Sequence, residues 1–350
     1  MRLLIVTQKV DKNDEVLGFF HRWLEEFAKL SDEVTVLCLS AGDADLPKNV
    51  SIYTFGKKWR IFKIYKFWEL FFRHYARADA VFFHMCPEFV LAASPFLISR
   101  KRSSALWYVH KSVTRNLKVA ERLVKWIFTA SELSFRLPSK KVIYTGHAID
   151  TEAFNPTINS QPLTFNQQIS SGGVKVLCIG RISPVKDLET VIRACGILKN
   201  SWQRSWSLSI VGGPAMERDK EYLESLKSLV SSLGLENFVH FSGPRSYTEA
   251  PEIYRDHDLF ISTSTTGSMD KSVLEAMSSG LTVIIANEAF QSLLPEKYFL
   301  EKRSPEFLAE RVKALADENR PNTFLRNLVI KNHSLEKTID HIVKVLTPSF

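Results

Sequence analysis

Two short stretches of this chain hold residue types at spacings that could do chemistry. They are Gly180-Arg181-Ile182-Ser183-Pro184-Val185-Lys186-Asp187 and Gly267-Ser268-Met269-Asp270-Lys271-Ser272-Val273-Leu274-Glu275-Ala276-Met277. Each puts cations or the N-terminus of a helix where a strand ends and a helix begins, which is where an open α/β sheet takes anionic ligands. Val174–Ile179 is an apolar run that predicts a buried parallel strand, and Leu188, Val191, Ile192, Cys195 and Leu198 follow at helical spacing. The loop between them carries Arg181 and Lys186. Arginine offers a planar fork of donors and lysine a mobile point charge, so the pair can grip two phosphates of one ligand. Hydrogen bonds to charged groups contribute about 1.5–3 kcal/mol each, so two such residues supply much of a micromolar affinity. Taken alone, an Arg/Lys pair is also what a solvated loop shows.

The second stretch shifts that balance. Leu259-Phe260-Ile261-Ser262 predicts a strand, residues 263–271 a polar loop, and residues 272–279 a short helix stopped by Gly280. The backbone N–H groups of Lys271, Ser272 and Val273 would then face the same crevice as Arg181 and Lys186. Glu275, one turn into the helix, would accept hydrogen bonds from vicinal hydroxyls such as those of a ribose; its plainer reading is an ordinary helix carboxylate. Together the two stretches point to a diphosphate-bearing ligand.

On these residues the chain resembles the retaining GT-B glycosyltransferases of the large family 4 type (glycosyl transferases group 1), which includes sucrose synthase and phosphatidylinositol mannosyltransferase. In that family a Gly-Arg-aliphatic-x-x-x-Lys segment binds the donor diphosphate, matching Gly180, Arg181, Ile182 and Lys186. A second signature has two glutamates separated by seven residues, and its distal glutamate, which holds the nucleotide ribose, matches Glu275 in the run Leu274 to Gly280. The strand end Val239-His240-Phe241-Ser242-Gly243 resembles the base-binding region, with Pro244 and Arg245 beside the nucleobase. One departure stands out: Gly267 occupies the position of the family's first glutamate, which contacts the donor sugar. It implies a different sugar, a substitute contact from Ser268 or Asp270, or a site that binds without turnover.

The resemblance also implies a fold and a mechanism. The expected architecture is α/β, GT-B, with two Rossmann-like doubly wound domains facing a cleft. Breaking the anomeric C–O bond builds negative charge on the β-phosphate, which Arg181, Lys186 and the N–H groups near Ser272 would stabilise. The family retains anomeric configuration, its leaving phosphate taking the acceptor proton on the same face, so no glycosidase-like carboxylate pair is required. No cofactor is expected, the nucleoside-diphosphate sugar being a substrate. No metal is expected either, since protein cations and helix dipoles neutralise the diphosphate. Asp43-Ala44-Asp45 has the form of the metal-binding Asp-x-Asp of other glycosyltransferases, but lies in a polar loop far from the donor segments and reads as a solvated turn. In the first domain His110, after Ala105-Leu106-Trp107-Tyr108-Val109, looks like the family histidine that points at the donor sugar. Gly18, His21 and His84 are candidates for the acceptor side, Gly18 by allowing close backbone approach and His84 by ending a strand. His147 stands where the family's turn has asparagine and reads as structural.

Elements must position these residues, and the chain supplies them. At 350 residues, 45% hydrophobic and 24% charged, it is expected to fold as two soluble globular domains. Strands near residues 2–7, 33–39, 50–54, 79–84, 104–109 and 127–130 alternate with helical segments, giving a first doubly wound unit over residues 1–165. Asn155–Gly173 is polar and reads as a linker about which closure would exclude water. The donor-binding unit is expected over residues 172–335, and residues 336–350 as a helix that packs back on the first domain, as in the family. Cys38, Cys86, Cys178 and Cys195 lie far apart in apolar patterns and read as buried thiols of a reducing cytoplasm. No apolar run approaches the roughly 20 residues that span a bilayer, and the start reads as a strand with no signal-peptide pattern.

Charge is unevenly spread. Residues 1–150 hold 24 Lys and Arg against 15 Asp and Glu, whereas the remainder holds 22 against 23. The densest part, residues 57–77, interleaves cations with aromatics. That suits the interface of an anionic membrane, where each cation adds up to about 1 kcal/mol, and equally a core helix with cations snorkelling outward. No nucleic-acid motif accompanies the charge. The expected protein is thus a cytoplasmic, peripherally membrane-associated glycosyltransferase passing sugar from a UDP- or GDP-sugar to a glycan or lipid-linked acceptor in envelope polysaccharide or glycolipid synthesis. Its alternatives are a GT-B nucleotide-sugar epimerase and a non-catalytic nucleotide-sugar-binding subunit.

Overall fold

The computed structural model describes residues 1–56, 60–99, 102–156, 173–264 and 267–347. It divides into two compact units, Met1–Ala148 with Ser246–Thr248 and Asn332–Phe350, and Ile149–Arg245 with Glu249–Lys331. Most of the expected linker, residues 157–172, lies outside the described residues.

The first unit is built on β1 (Arg2–Val10), β2 (Glu33–Ala41), β3 (Val50–Thr54), β4 (Ala80–His84), β5 (Ser103–Trp107), β6 (Trp126–Thr129) and β7 (Val142–Tyr144). They form a parallel sheet of order β3-β2-β1-β4-β5-β6-β7. Strands β1 and β4 are nearly continuous apolar runs because helices cover both faces. Helix α1 (Phe19–Lys29) buries Phe20, Trp23, Leu24 and Phe27 at helical spacing. On the other face lies α2 (Arg60–Tyr75), which buries Phe67, Leu70 and Phe71. The apolar segment near residue 90 is cut by its prolines into α3 (Pro87–Ala92) and α4 (Ser94–Leu97), and α5 (Arg115–Leu123) starts at Thr114, whose hydroxyl accepts from the Leu117 N–H.

The second unit holds β8 (Val174–Ile179), β9 (Trp206–Val211), β10 (Val239–Gly243), β11 (Leu259–Ser262) and β12 (Thr282–Ile285) in the order β10-β9-β8-β11-β12, again parallel. Its helices are α6 (Leu188–Ser201), α7 (Glu217–Ser232), α8 (Ala250–Arg255), α9 (Lys271–Ser278), α10 (Pro305–Leu315) and α11 (Thr323–Asn332). The helical spacing read after residue 187 is realised in α6, where Leu188, Val191, Ile192, Cys195 and Leu198 are all buried.

The last helix, α12 (Leu335–Leu346), belongs to the first unit. Its Leu335, Ile339, Ile342, Val343 and Leu346 share one core with Leu3, Ile5, Trp23 and Phe27. Thr338 Oγ1 donates to the Thr145 carbonyl at 2.8 Å, and the His147 N–H donates to His333 Nδ1 at 3.2 Å. Gly146 closes this junction at φ +81°, and a β-carbon there would lie 2.0 Å from the Asn332 carbonyl oxygen. His147 is buried in this packing.

Candidate functional site

In the second sheet strand order reverses between β8 and β11, so the loops leaving their carboxyl ends diverge and open a crevice. A small cavity of about 20 Å³ sits there, lined among others by Gly180, Arg181, Lys186, Ser262 and Thr263. Glycines shape its rim. Gly180, Gly212 and Gly243 leave β8, β9 and β10 at φ +136°, +133° and +68°. A β-carbon on Gly212 would fall 1.9 Å from the Gly180 carbonyl oxygen, so these two turns pack back to back only because Gly212 has no side chain. The ladder runs past the strands, the Ile182 N–H donating to the Gly213 carbonyl at 2.9 Å.

After this turn the chain makes a single 3-10 turn, Pro184–Lys186, and enters α6. Thr263 at the end of β11 clamps that turn, its Oγ1 donating to the Lys186 carbonyl at 2.7 Å. Arg181 is exposed and makes no ion pair among the described residues. Lys186 is half-buried, and its Nζ lies 3.5 Å from Asp270 Oδ2. That contact joins the two signature stretches, which are 84 residues apart. A 3.5 Å separation is loose for a charge-assisted bond, and a part-exposed pair of this kind is worth about 0–1 kcal/mol, so an incoming phosphate can take the lysine.

Asp270 precedes α9 and makes no side-chain cap on it. Ahead of it Gly267 has φ +67°, a left-handed conformation that a β-carbon disfavours, which gives a backbone reason for glycine where the resembling family has glutamate. Asn287, buried after β12, holds this loop by donating from Nδ2 to the Ser268 carbonyl at 2.7 Å. Met269 is buried beneath it.

Inside α9, Glu275 is 5% exposed, and the Tyr254 hydroxyl lies 3.2 Å from its Oε2 and 3.1 Å from the Ser272 carbonyl. Burial and the Glu275 charge hold the Tyr254 hydroxyl well above its ordinary pKa. Lys271, one turn before Glu275, keeps its Nζ buried; desolvation pulls its pKa well below the ordinary lysine value, with the Glu275 carboxylate opposing. The described lining of the Arg181–Lys186 cavity includes no residue of α9; the Lys186–Asp270 contact brings the start of that helix beside it. Val273 is fully buried in its first turn and Ser272 half-buried. Beyond β10, Pro244 is exposed against Gly213, and Arg245 Nη1 lies 3.6 Å from Glu249 Oε1.

In the first unit the sequence candidates are differently placed. His110 is exposed, three residues past β5, and its Nδ1 accepts from the Ser112 N–H at 3.1 Å. His84 is 1% exposed, stacked on Phe20 with ring centroids 4.1 Å apart, and its Nδ1 lies 3.1 Å from Thr7 Oγ1. His21 is buried with Nδ1 3.3 Å from Glu25 Oε1, and burial lowers its pKa. The close approach expected at Gly18 is made by the protein itself, since a β-carbon there would meet the Asp14 carbonyl oxygen at 2.5 Å and Tyr247 Cβ at 2.6 Å. Asp43 faces Lys12 at 3.2 Å. All four cysteines are buried thiols, burial raising Cys38 and Cys178 to about 12 and Cys86 to about 11. Gly212, Gly213, Thr263 and Asn287 were not among the residues read from sequence. The signal was present for the first pair, a Gly-Gly directly after the apolar run Trp206–Val211.

The fold defines the class. The chain is similar to Anabaena HepE, solved in complex with UDP and glucose, with a TM-score of 0.78 at 16% identity over 100% of both chains, and the fold is that of GT-B glycosyltransferases. Residues 160–333 match the family model of the glycosyl transferases group 1, and through this stretch the chain belongs to that family. Among curated relatives it is 31% identical over 137 residues to mannosylfructose-phosphate synthase of Agrobacterium fabrum, covering 39% of this chain and 30% of that one. To alpha-monoglucosyldiacylglycerol synthase of Streptococcus pneumoniae it is 31% identical over 166 residues, covering 46% of this chain and 35% of that one. The chain thus spans about a third of the length of these relatives.

Proposed function

We propose that the protein is a retaining, metal-independent glycosyltransferase that moves a sugar from a UDP- or GDP-sugar to a glycan or lipid-linked acceptor. The observation that carries this reading is the Lys186–Asp270 contact at the reversal point of the second sheet, because it assembles both signature loops beside one cavity. A relative named as an alpha-monoglucosyldiacylglycerol synthase supports the lipid class of acceptor. In this reading Arg181 and Lys186 bind the diphosphate and neutralise the charge that builds on the β-phosphate as the anomeric bond breaks. The N-terminal turn of α9 adds its partial positive charge, and the buried Glu275, steadied by Tyr254, receives the ribose hydroxyls. His110 serves the sugar from the first unit. Asp270 takes over the sugar contact that the family's first glutamate makes, and the leaving phosphate accepts the acceptor's proton. The basic first unit works at the cytoplasmic face of an anionic membrane, where lipid-linked acceptors lie.

Thermal shifts and hydrolysis with a panel of UDP-, GDP- and ADP-sugars test this, comparing the native chain with Arg181→Ala and Glu275→Ala. Stabilisation and slow hydrolysis by one donor, both lost in the variants, are expected. Donor binding without turnover in the presence of lipid acceptors would instead favour a non-catalytic subunit. Acceptor-independent release of free sugar at full rate would favour an epimerase, and absence of binding to every donor would remove the reading altogether.

A further inference from the structure

Helix α2 has two apolar faces, and the core uses one. Phe67, Leu70 and Phe71 are buried against the sheet. On the opposite side Ile61, Ile64, Tyr65, Trp68 and Phe72 recur at helical spacing and are 45–80% exposed. This outer stripe continues into α4 and the turn after it, where Pro95 is exposed and Ile98 is 70% exposed. Between the two helices lies an open groove of about 400 Å³ lined by Tyr65, Trp68, Glu69, Phe72, Pro95 and Phe96. The Trp68 indole is held in the wall by donating from Nε1 to the Ala92 carbonyl at 2.7 Å. A contiguous apolar patch of this kind on a folded unit marks a surface that is covered in use.

We infer that this outer face of α2 lies in the interfacial layer of an anionic lipid bilayer, with its apolar stripe among the acyl chains and one chain seated in the α2–α4 groove. The inference deepens the proposed membrane-side action, and it stands on charge as well as on exposure. Residues 57–77 hold seven Lys and Arg against one acid, Glu69. Of these, Lys57 and Lys58 lie outside the described residues, and Glu69 is shared between Lys66 at 2.9 Å and Arg73 at 3.0 Å. Pairing with a second copy of the chain across a two-fold axis would bring these cations face to face, whereas anionic headgroups neutralise them. Tyrosine and tryptophan on the stripe fit the boundary between headgroups and chains. With 16 residues α2 is too short to cross, and among the described residues no helix is long and apolar enough to do so, so it lies in the plane of the surface.

Co-sedimentation of the full chain with vesicles of phosphatidylglycerol mixed into phosphatidylcholine, against pure phosphatidylcholine, tests the inference. Binding to the anionic vesicles is expected, falling about tenfold or more in Ile64→Ser/Phe72→Ser and weakening in Lys66→Gln/Arg73→Gln. Because these side chains are on the surface, an unchanged circular dichroism spectrum and an unchanged donor-induced thermal shift show that the fold and the donor site survive. Failure of the donor reading would appear in the thermal shift alone, and failure of this inference in the sedimentation alone. Absence of vesicle binding by the native chain, equal binding by the Ile64/Phe72 variant, or a dimer in solution dispersed by those substitutions would overturn it.

Discussion

Both sheets reverse their strand order beside their first strand, between β1 and β4 in one unit and between β8 and β11 in the other, yet the two reversal points are filled differently. At β8/β11 the strand ends carry glycine, serine and threonine, and a charged cavity remains. At β1/β4 Thr7, within β1, meets His84 at the end of β4, and Phe19, Phe20 and Trp23 pack their rings around the imidazole. The same topology therefore leaves an open crevice where small residues end the strands, and a plug where an aromatic helix face closes over them. Fold alone does not decide which; the residues at the strand ends do.

The largest effects should come from attacking each filling. Phe20→Ala removes a fully buried ring from the plug and should cost the first unit about 3–5 kcal/mol in denaturant melts. If it instead lowers donor affinity with stability unchanged, the plug is a functional surface and the contrast fails. Lys186→Ala should act in reverse, lowering donor turnover about 10²–10³-fold with little change in melting temperature. A variant that turns over normally would mean that the cavity is not where the phosphates sit.

Acidity gives a third, somewhat smaller handle. Burial pulls His333 from its ordinary value of 6.5 to about 4, and its Nδ1 must stay unprotonated to accept from the His147 N–H. Between those two values the unfolded chain binds the proton and the native chain does not. Stability is thus full above pH 6.5 and is lost as pH falls toward 4, by roughly 3 kcal/mol over the whole span. His333→Gln should flatten that slope in pH-dependent melts of the first unit; an unchanged slope would assign the loss to other groups. Smallest is Gly267→Ala, which places a β-carbon at φ +67° and should cost about 1–2 kcal/mol, read as a lower melting temperature of the second unit. A neutral result would show that the loop relaxes and that the backbone does not explain the glycine.

How much of this was legible follows the same division. The two loops at the ends of β8 and β11 could be read because glycine and paired cations at a strand end are local signals, and six strands of the first sheet announced themselves as apolar or alternating runs. The three-residue edge strand β7 was too short to show a period. His84 and His21 looked available because strand-end and helix histidines carry no sign of what will cover them; α1 covers His84 through packing set far away in sequence and carries His21 on its own buried face. Asn287 and Thr263 were invisible for a related reason, since each works through hydrogen bonds to loops 19 and 77 residues away. The second apolar face of α2 was read only as interleaved charge and aromatics, because which face the core takes depends on Phe67, Leu70 and Phe71 finding the sheet.

The membership of α12 in the first core bears on how the chain is made. Leu335 to Leu346 emerge during synthesis only after the second unit, long after the strands and helix they cover. The second unit runs almost without interruption from Ile149 to Lys331 and can complete its sheet on leaving the ribosome. The first unit must wait, holding Trp23 and Phe27 beside an open apolar trough while nearly two hundred further residues are added. Its sheet is the earlier to be translated and the later to be finished.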